Sequence, residues 1–203
     1  MLTLYHSPQS RSIRPRWLLE ELGVPYEVKP ISLAEGDQKK PDYLKLNPNG
    51  AVPTLVDGDL VLWESAAICQ YLADKFPDKH LAPPVGTPER GKYYQWVHYA
   101  MCGIEPPAVT IFLHTVRLPE AERLPKLVDE ARAQLAAAIA VVDGALAGRE
   151  WILGSQFSAA DVMVGSTLAW CQMMGAMGDK SPNATAYLGR CVARPAFQRA
   201  SAG

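Results

Sequence analysis

The chain of 203 residues contains no run of about 18 apolar residues, which argues against a membrane-spanning helix. It has no excess of charge of either sign. The formal net charge is −1, so no broad surface for nucleic acid or another polyanion is expected. Its four cysteines, Cys69, Cys102, Cys171 and Cys191, form neither a CxxC nor a zinc-ligand spacing. They read as reduced, mostly buried thiols of a cytoplasmic protein without a metal site. The first residues, Met1-Leu2-Thr3-Leu4-Tyr5, lack the basic segment of a signal peptide and read directly as a strand.

What is present is an ordinary globular composition, 48% hydrophobic and 20% charged, sufficient to bury the core of one large domain or two small ones. The densest set of structural signals lies between Asn47 and Tyr71. Asn47-Pro48-Asn49-Gly50 is a turn. Val52-Pro53 leads into Thr54-Leu55-Val56, and because proline cannot donate to a central ladder, Pro53 belongs at a strand start or edge. Asp57-Gly58 marks a hairpin, with Leu60-Val61-Leu62 as the returning strand. Glu64-Ser65 then opens a helical pattern carried by Ala67, Ile68, Tyr71 and Leu72. A helix N-terminus offers free N–H groups and the positive end of a dipole, which suit a carboxylate. A cis X-Pro bond ahead of a strand aims the preceding backbone outward for peptide pairing. Together these features suit a short peptide with a free α-carboxylate.

The remaining chain divides in two. Residues 2–5 form a strand and His6–Ser12 a polar turn, in which an exposed histidine is expected. Ile13–Leu22 reads as a helix with its N-cap between Ser10 and Ser12, Pro15 in its first turn and Gly23 as its stop. Tyr26–Ile31 alternates as a second strand. The order is β-α-β, a linker with one helical turn at Asp42–Leu46, then β-β-α. This predicts a four-stranded mixed sheet with a right-handed parallel crossover. Residues 79–88 are rich in Pro and Gly and read as an interdomain linker. Beyond it only helical patterns occur: Glu89–Met101, a continuation past a break at Pro106-Pro107, the alanine-rich Lys126–Leu146, a helix opened by a capping box at Ser158–Asp161 with Phe157 and Val162 as a hydrophobic staple, and Asn183–Val192.

The ordered set of motifs resembles the cytosolic glutathione transferases, with a bacterial-type, serine-type active site. The matching pieces are Ser7-Pro8-Gln9-Ser10-Arg11, Trp17–Tyr26, Asn47-Pro48 with Gly50 and Val52-Pro53, Glu64–Ile68 and the Ser158–Asp161 box. The resemblance covers the whole chain. It implies an α/β thioredoxin-like glutathione-binding domain over residues 1–78, a linker over 79–88, and an all-α helical bundle domain over 89–203 that supplies the electrophile site. It also implies a homodimer, glutathione as co-substrate, and neither a cofactor nor a metal.

Carried onto this sequence, the resemblance makes Ser7 the hydroxyl that donates to the glutathione sulfur, with Ser10 as the alternative donor or simply the N-cap. A free thiol titrates near about 8.5. Stabilising the thiolate by one to two units, about 1.4 kcal/mol each, makes it abundant at neutral pH. Tyr5 is a phenolic rival that falls inside the strand. Cysteine-type classes place a thiol near Arg11, and none stands there. Val52 and Pro53 would pair with the cysteinyl backbone, Glu64 would take the γ-glutamyl ammonium and Ser65 its carboxylate. The glycyl carboxylate needs a cation from Lys39, Lys40 or Lys45, and Lys40 is taken here. Ala51 stands where some relatives carry a lysine. Tyr99, Met101 and Phe112 are the candidates for the hydrophobic electrophile. The implied reaction is attack of the thiolate on that electrophile. Dehalogenation, isomerisation and disulfide reduction on the same site, or a binding role without catalysis, are the alternatives.

Overall fold

The computed structural model describes residues 1–202, which form two compact units: Met1–Ala82 together with the chain from Ala193 onward, and Pro83–Val192. The first unit is built on a four-stranded sheet in the order β2-β1-β3-β4. Its strands are β1 (Leu2–His6), β2 (Tyr26–Pro30), β3 (Thr54–Asp57) and β4 (Leu60–Trp63). β1 runs parallel to β2 and antiparallel to β3, and β3 and β4 form the expected hairpin. Pro53 lies just before β3, a central strand, and so removes no ladder hydrogen bond from it.

Helix α1 (Ile13–Leu22) lies between β1 and β2. It ends where Gly23, at φ 63°, takes the left-handed conformation and donates to the Leu19 carbonyl. Helix α2 (Pro41–Leu44) is the single turn in the linker, and α3 (Ser65–Lys75) follows β4. Leu4, Leu18, Leu55, Ile68 and Leu72 form the sheet unit's fully buried core.

The second unit is helical: α4 (Pro88–Tyr99), α5 (Glu105–Phe112), α6 (Pro125–Ala145), α7 (Ala159–Met173) and α8 (Pro182–Val192). The break expected at Pro106-Pro107 does not occur. Ala100–Ile104 forms a π-helical turn in which the Glu105 N–H donates to the Ala100 carbonyl, five residues back. The ladder is therefore changing register where the two prolines enter, and their missing N–H groups cost least there. A second π-helical turn, Leu113–Arg117, follows α5. No helix among the described residues is long and apolar enough to cross a membrane.

A further helix, α9 (Pro195–Ser201), belongs to the sheet unit and packs on α1. Trp17 meets Phe197 edge to face at 4.9 Å. Arg194 grips both carboxylate oxygens of Glu21, and Arg199 pairs with Glu20. Sequence reading found no helix at 195–201, because its anchoring partners lie more than 170 residues earlier.

Candidate active site

The strand register determines which segments meet. Tyr5 pairs with Thr54, and Thr54 pairs with Trp63. Ser7 lies two residues beyond Tyr5, Val52 two before Thr54, and Glu64 one beyond Trp63. Because these pairings are antiparallel, all three segments leave the sheet at the same end. The serine turn, the Val52-Pro53 segment and the N-terminus of α3 are thus brought together by hydrogen-bond register alone.

The serine turn is held by its own hydroxyls. The Ser7 N–H donates to Ser12 Oγ at 3.1 Å. The Ser7 carbonyl accepts from Ser10 Oγ at 2.7 Å and from Ser12 Oγ at 3.0 Å. Ser10 and Ser12 share a further contact at 2.7 Å, and the Ser12 N–H donates to Ser10 Oγ. Both hydroxyls are therefore spent on the turn. The Ser7 hydroxyl takes no partner among the described residues, although the residue is only 5% exposed. Ser12 is the N-cap position of α1, yet its side chain caps nothing because it serves Ser7 instead.

His6, expected to be exposed, is 3% exposed and braces the turn from below. Its Nδ1 lies 2.7 Å from Ser12 Oγ and its Nε2 lies 3.0 Å from Arg16 Nη1. A guanidinium only donates, so Nε2 accepts and the ring proton sits on Nδ1, facing Ser12. Tyr5 packs edge-on against Tyr43 at 5.6 Å, as its place in the strand predicts.

The Val52-Pro53 peptide bond is cis. The turn before it is fixed by two buried groups. Asn47 Nδ2 and the Tyr43 hydroxyl both donate to the Ala51 carbonyl, at 2.8 and 2.7 Å, and both also contact Thr54 Oγ1. The Asn49 N–H closes the loop on Asn47 Oδ1. The Val52 N–H and carbonyl take no partner among the described residues. Gly50 is required here. It sits at φ 58°, and a Cβ would fall 2.7 Å from Lys39 Nζ and 2.9 Å from the Gln38 carbonyl.

Of the three candidate lysines, Lys39 lies against this turn and donates to the Asn49 carbonyl. Lys40 turns away to an ion pair with Asp37, and Lys45 to one with Asp42.

At α3 the backbone is unusual. Glu64, the N-cap, has φ 73° and ψ 113°, a conformation that costs a non-glycine residue about 1–3 kcal/mol. No side chain caps the helix, and the exposed Glu64 carboxylate has no partner among the described residues. Ser65 is buried, and its Oγ accepts a hydrogen bond from Arg14 Nη1 at 3.1 Å. Arg14 joins the N-terminal turns of α1 and α3, and sequence reading missed it. The available signal was a charge at the second position of α1, beside the apolar face carried by Ile13, Trp17 and Leu18.

In the helical unit, the half-buried Tyr99 ring lies over Gly103, where a Cβ would come within 2.7 Å of it. Met101 is in the π-helical turn, and Phe112 meets Trp170 at 5.8 Å. The capping box at α7 is complete. Ser158 Oγ accepts from the Ala160 N–H, and the Asp161 carboxylate accepts from Ser158 N–H at 2.8 Å, Ser158 Oγ, Ile152 N–H at 2.8 Å and the Tyr187 hydroxyl at 3.0 Å. Burial nevertheless pushes this carboxyl up to about 6, against those donated bonds. All four cysteines are free thiols. Burial pushes Cys69 up to about 12, which makes it inert at neutral pH.

Comparison with known proteins gives the family. Residues 1–74 match the family described as glutathione S-transferase, N-terminal domain, and residues 125–190 match glutathione S-transferase, C-terminal domain. Glutathione S-transferase 3 of Zea mays is 32% identical, over 98% of this chain and 92% of its own. The glutathione S-transferase GstB of Escherichia coli strain K12 is 30% identical, over 98% of this chain and 97% of its own. The solved structure of a theta class glutathione S-transferase from Xanthomonas axonopodis pv. citri, with glutathione bound, superposes with a TM-score of 0.88. It is 34% identical, over 100% of this chain and 97% of that one. The protein belongs to the glutathione S-transferase family.

Proposed function

We propose that this chain is a glutathione transferase in which Ser7 donates the hydrogen bond that holds the glutathione sulfur as a thiolate. Val52 pairs through its unclaimed backbone groups with the cysteinyl portion, beside Pro53. Glu64 takes the γ-glutamyl ammonium, while Ser65 and the uncapped N–H groups of α3 take the α-carboxylate. Glutathione is a co-substrate, and no cofactor is required. The thiolate then attacks a hydrophobic electrophile, for which Tyr99, Met101 and Phe112 are the proposed contacts. Turnover comes from thiolate formation and placement. The active species is a homodimer in the cytoplasm, a compartment that suits four unbridged cysteines.

One observation carries the assignment of the donor. Among the three serines of the turn, only Ser7 has a hydroxyl that the protein does not use itself. The test is conjugation of glutathione to an aryl halide by Ser7→Ala and Ser10→Ala variants, with glutathione binding measured alongside. Ser7→Ala should lower kcat by about 10- to 100-fold, one to two units of thiol pKa, and change glutathione affinity by less than threefold. If Ser10→Ala has that effect and Ser7→Ala does not, the donor is misassigned. Glutathione binding without turnover in the unsubstituted protein would point to a non-catalytic binding role.

A further inference from the structure

The hydrogen bonds beneath the serine turn run in one direction. His6 is buried at the end of β1, and its Nε2 lies 3.0 Å from Arg16 Nη1. A guanidinium donates and never accepts, so Nε2 offers a lone pair and the one proton of the neutral ring sits on Nδ1. An imidazolium, or the other tautomer, would aim an N–H at the Arg16 donor. The Nδ1 proton faces Ser12 Oγ, 2.7 Å away. Ser12 is fully buried, and its oxygen has two lone pairs and one proton. One lone pair accepts from His6 Nδ1, the other from the Ser7 N–H at 3.1 Å. With both filled, the Ser12 proton goes to one of its two remaining contacts, Ser10 Oγ at 2.7 Å or the Ser7 carbonyl at 3.0 Å. The Ser10 proton goes to the Ser7 carbonyl at 2.7 Å. By either route the chain leads from Arg16 to His6 to Ser12 and ends on the Ser7 peptide.

Arg16 is held in its turn by a hydrogen bond to Tyr26 and by the charge of Glu20. If the His6 proton sat on Nε2 instead, Ser12 would have to give its only proton to Nδ1. The Ser7 carbonyl would then lose the Ser12 donor, and a buried lone pair of Ser12 would go unanswered. The N–H and carbonyl of Ser7 flank its Cα, so holding both fixes the direction of its Cβ and hydroxyl.

We propose that His6, oriented by Arg16, is a positioning residue for Ser7: it donates from Nδ1 to Ser12, which pins the Ser7 peptide and so aims the free Ser7 hydroxyl at the glutathione sulfur. The assignment rests on the reading of Ser7 as the sulfur donor given above. His6 acts through Ser12, and its contribution is geometric precision at the donor.

Long-range proton–nitrogen NMR correlation on the intact protein reads the tautomer, with only four histidines to resolve. At pH 7.5 His6 should carry its proton on Nδ1 alone, and a proton on Nε2 overturns the proposal. The functional test follows the ultraviolet absorbance of the bound glutathione thiolate across pH, together with kcat for an aryl halide. His6→Asn places an amide nitrogen one bond from Cγ, where Nδ1 stands. His6→Gln places it one bond further, and His6→Leu has no donor. Gln and Leu should each raise the pH of half-ionisation of the bound thiol by about one unit and lower kcat about tenfold, with glutathione affinity changed by less than threefold. His6→Asn should keep kcat within threefold of the unsubstituted protein. A packing role predicts the reverse order, because Gln and Leu are closer to His in volume than Asn is. If His6→Leu fails to fold, the Asn and Gln pair decides the matter. Equal effects of Asn and Gln, or unchanged thiol ionisation in both while Ser7→Ala raises it, overturn the role of His6 and leave Ser7 as the donor. Unchanged thiol ionisation in Ser7→Ala overturns both.

Discussion

Helices α3 and α7 begin on similar residues, Glu64-Ser65-Ala66-Ala67 and Ser158-Ala159-Ala160-Asp161, yet their N-termini end up in opposite states. At α7 the serine and the acid close a capping box, and Asp161 also collects Ile152 and Tyr187 from the surrounding core. The serine and the acid there are both answered by the chain itself. At α3 the acid comes first and stands in a strained backbone conformation, its exposed carboxylate unclaimed among the described residues, while the buried serine oxygen accepts from Arg14 and caps nothing. A helix start satisfied by its own side chains stabilises the fold. One left open at an energetic cost leaves donors that suit a ligand's carboxylate. The same contrast separates Ser10 from Ser7 a few ångströms of chain away, one hydroxyl used internally and the other kept free.

The largest expected effect tests the closed end. Asp161→Ala leaves the Ile152 and Ser158 N–H groups and the Ser158 hydroxyl without their acceptor inside the core, while the Tyr187 hydroxyl keeps the backbone carbonyl at this position. At about 1–3 kcal/mol for each buried donor left unsatisfied, the variant should lose at least about 3 kcal/mol in urea unfolding. Glutathione affinity of the molecules that remain folded should change by less than twofold. Equal losses of affinity and stability would erase the distinction between the two helix starts.

The open end should show the reverse. Glu64→Gly removes the backbone cost of a positive φ, about 1–3 kcal/mol, against about 1 kcal/mol for the added freedom of glycine in the unfolded chain. Stability should hold or rise slightly, while glutathione affinity falls about tenfold with the loss of the carboxylate opposite the ligand's ammonium. A variant that unfolds more easily and still binds glutathione normally would show that Glu64 serves the fold.

Much of this contrast was legible in the sequence. The Ser158–Asp161 box, the Gly23 stop, the Asp57-Gly58 hairpin and the Val52-Pro53 strand entry are local signals, carried by residues within four positions of each other. Strand order followed from chirality and connection length. What remained hidden depends on distant partners. The burial of His6 needs Ser12 and Arg16 folded against it, the Arg14–Ser65 bond spans 51 residues, and α9 is anchored to Glu20 and Glu21 at the other end of the chain. The continuity of the helix through Pro106-Pro107 escaped for a different reason. A π-helical turn has no compositional signature that distinguishes it from a proline break.

A smaller effect comes from the titration of Asp161. Burial raises its folded value to about 6, above the ordinary value of 3.8. Between those two values the native state binds more protons than the unfolded state, so this group's contribution is fully present below about 3.8 and is lost as pH rises through about 6. The stability advantage of the unsubstituted protein over Asp161→Asn should therefore be greatest near pH 4 and shrink toward pH 7, as read from urea midpoints across that range. An advantage that grows with pH would mean that the donated hydrogen bonds outweigh burial, and that the closed helix start holds its carboxylate ionised throughout.

The smallest expected effect extends the contrast to the lysines. The charge of Lys40 is answered by Asp37, and Lys45 by Asp42, whereas Lys39 lies on the Gly50 turn and, among the described residues, donates only to a neutral carbonyl. If open groups serve the ligand and answered groups serve the fold, the glycyl carboxylate is met by Lys39. Lys39→Met should raise KM for glutathione about two- to threefold, as suits a solvent-screened charge contact, and the rise should disappear at high salt. Lys40→Met should leave KM unchanged. The opposite ranking would return the glycyl contact to Lys40, and would show that an exposed ion pair on a loop is too weak to keep a lysine from a ligand even when the chain already supplies its partner.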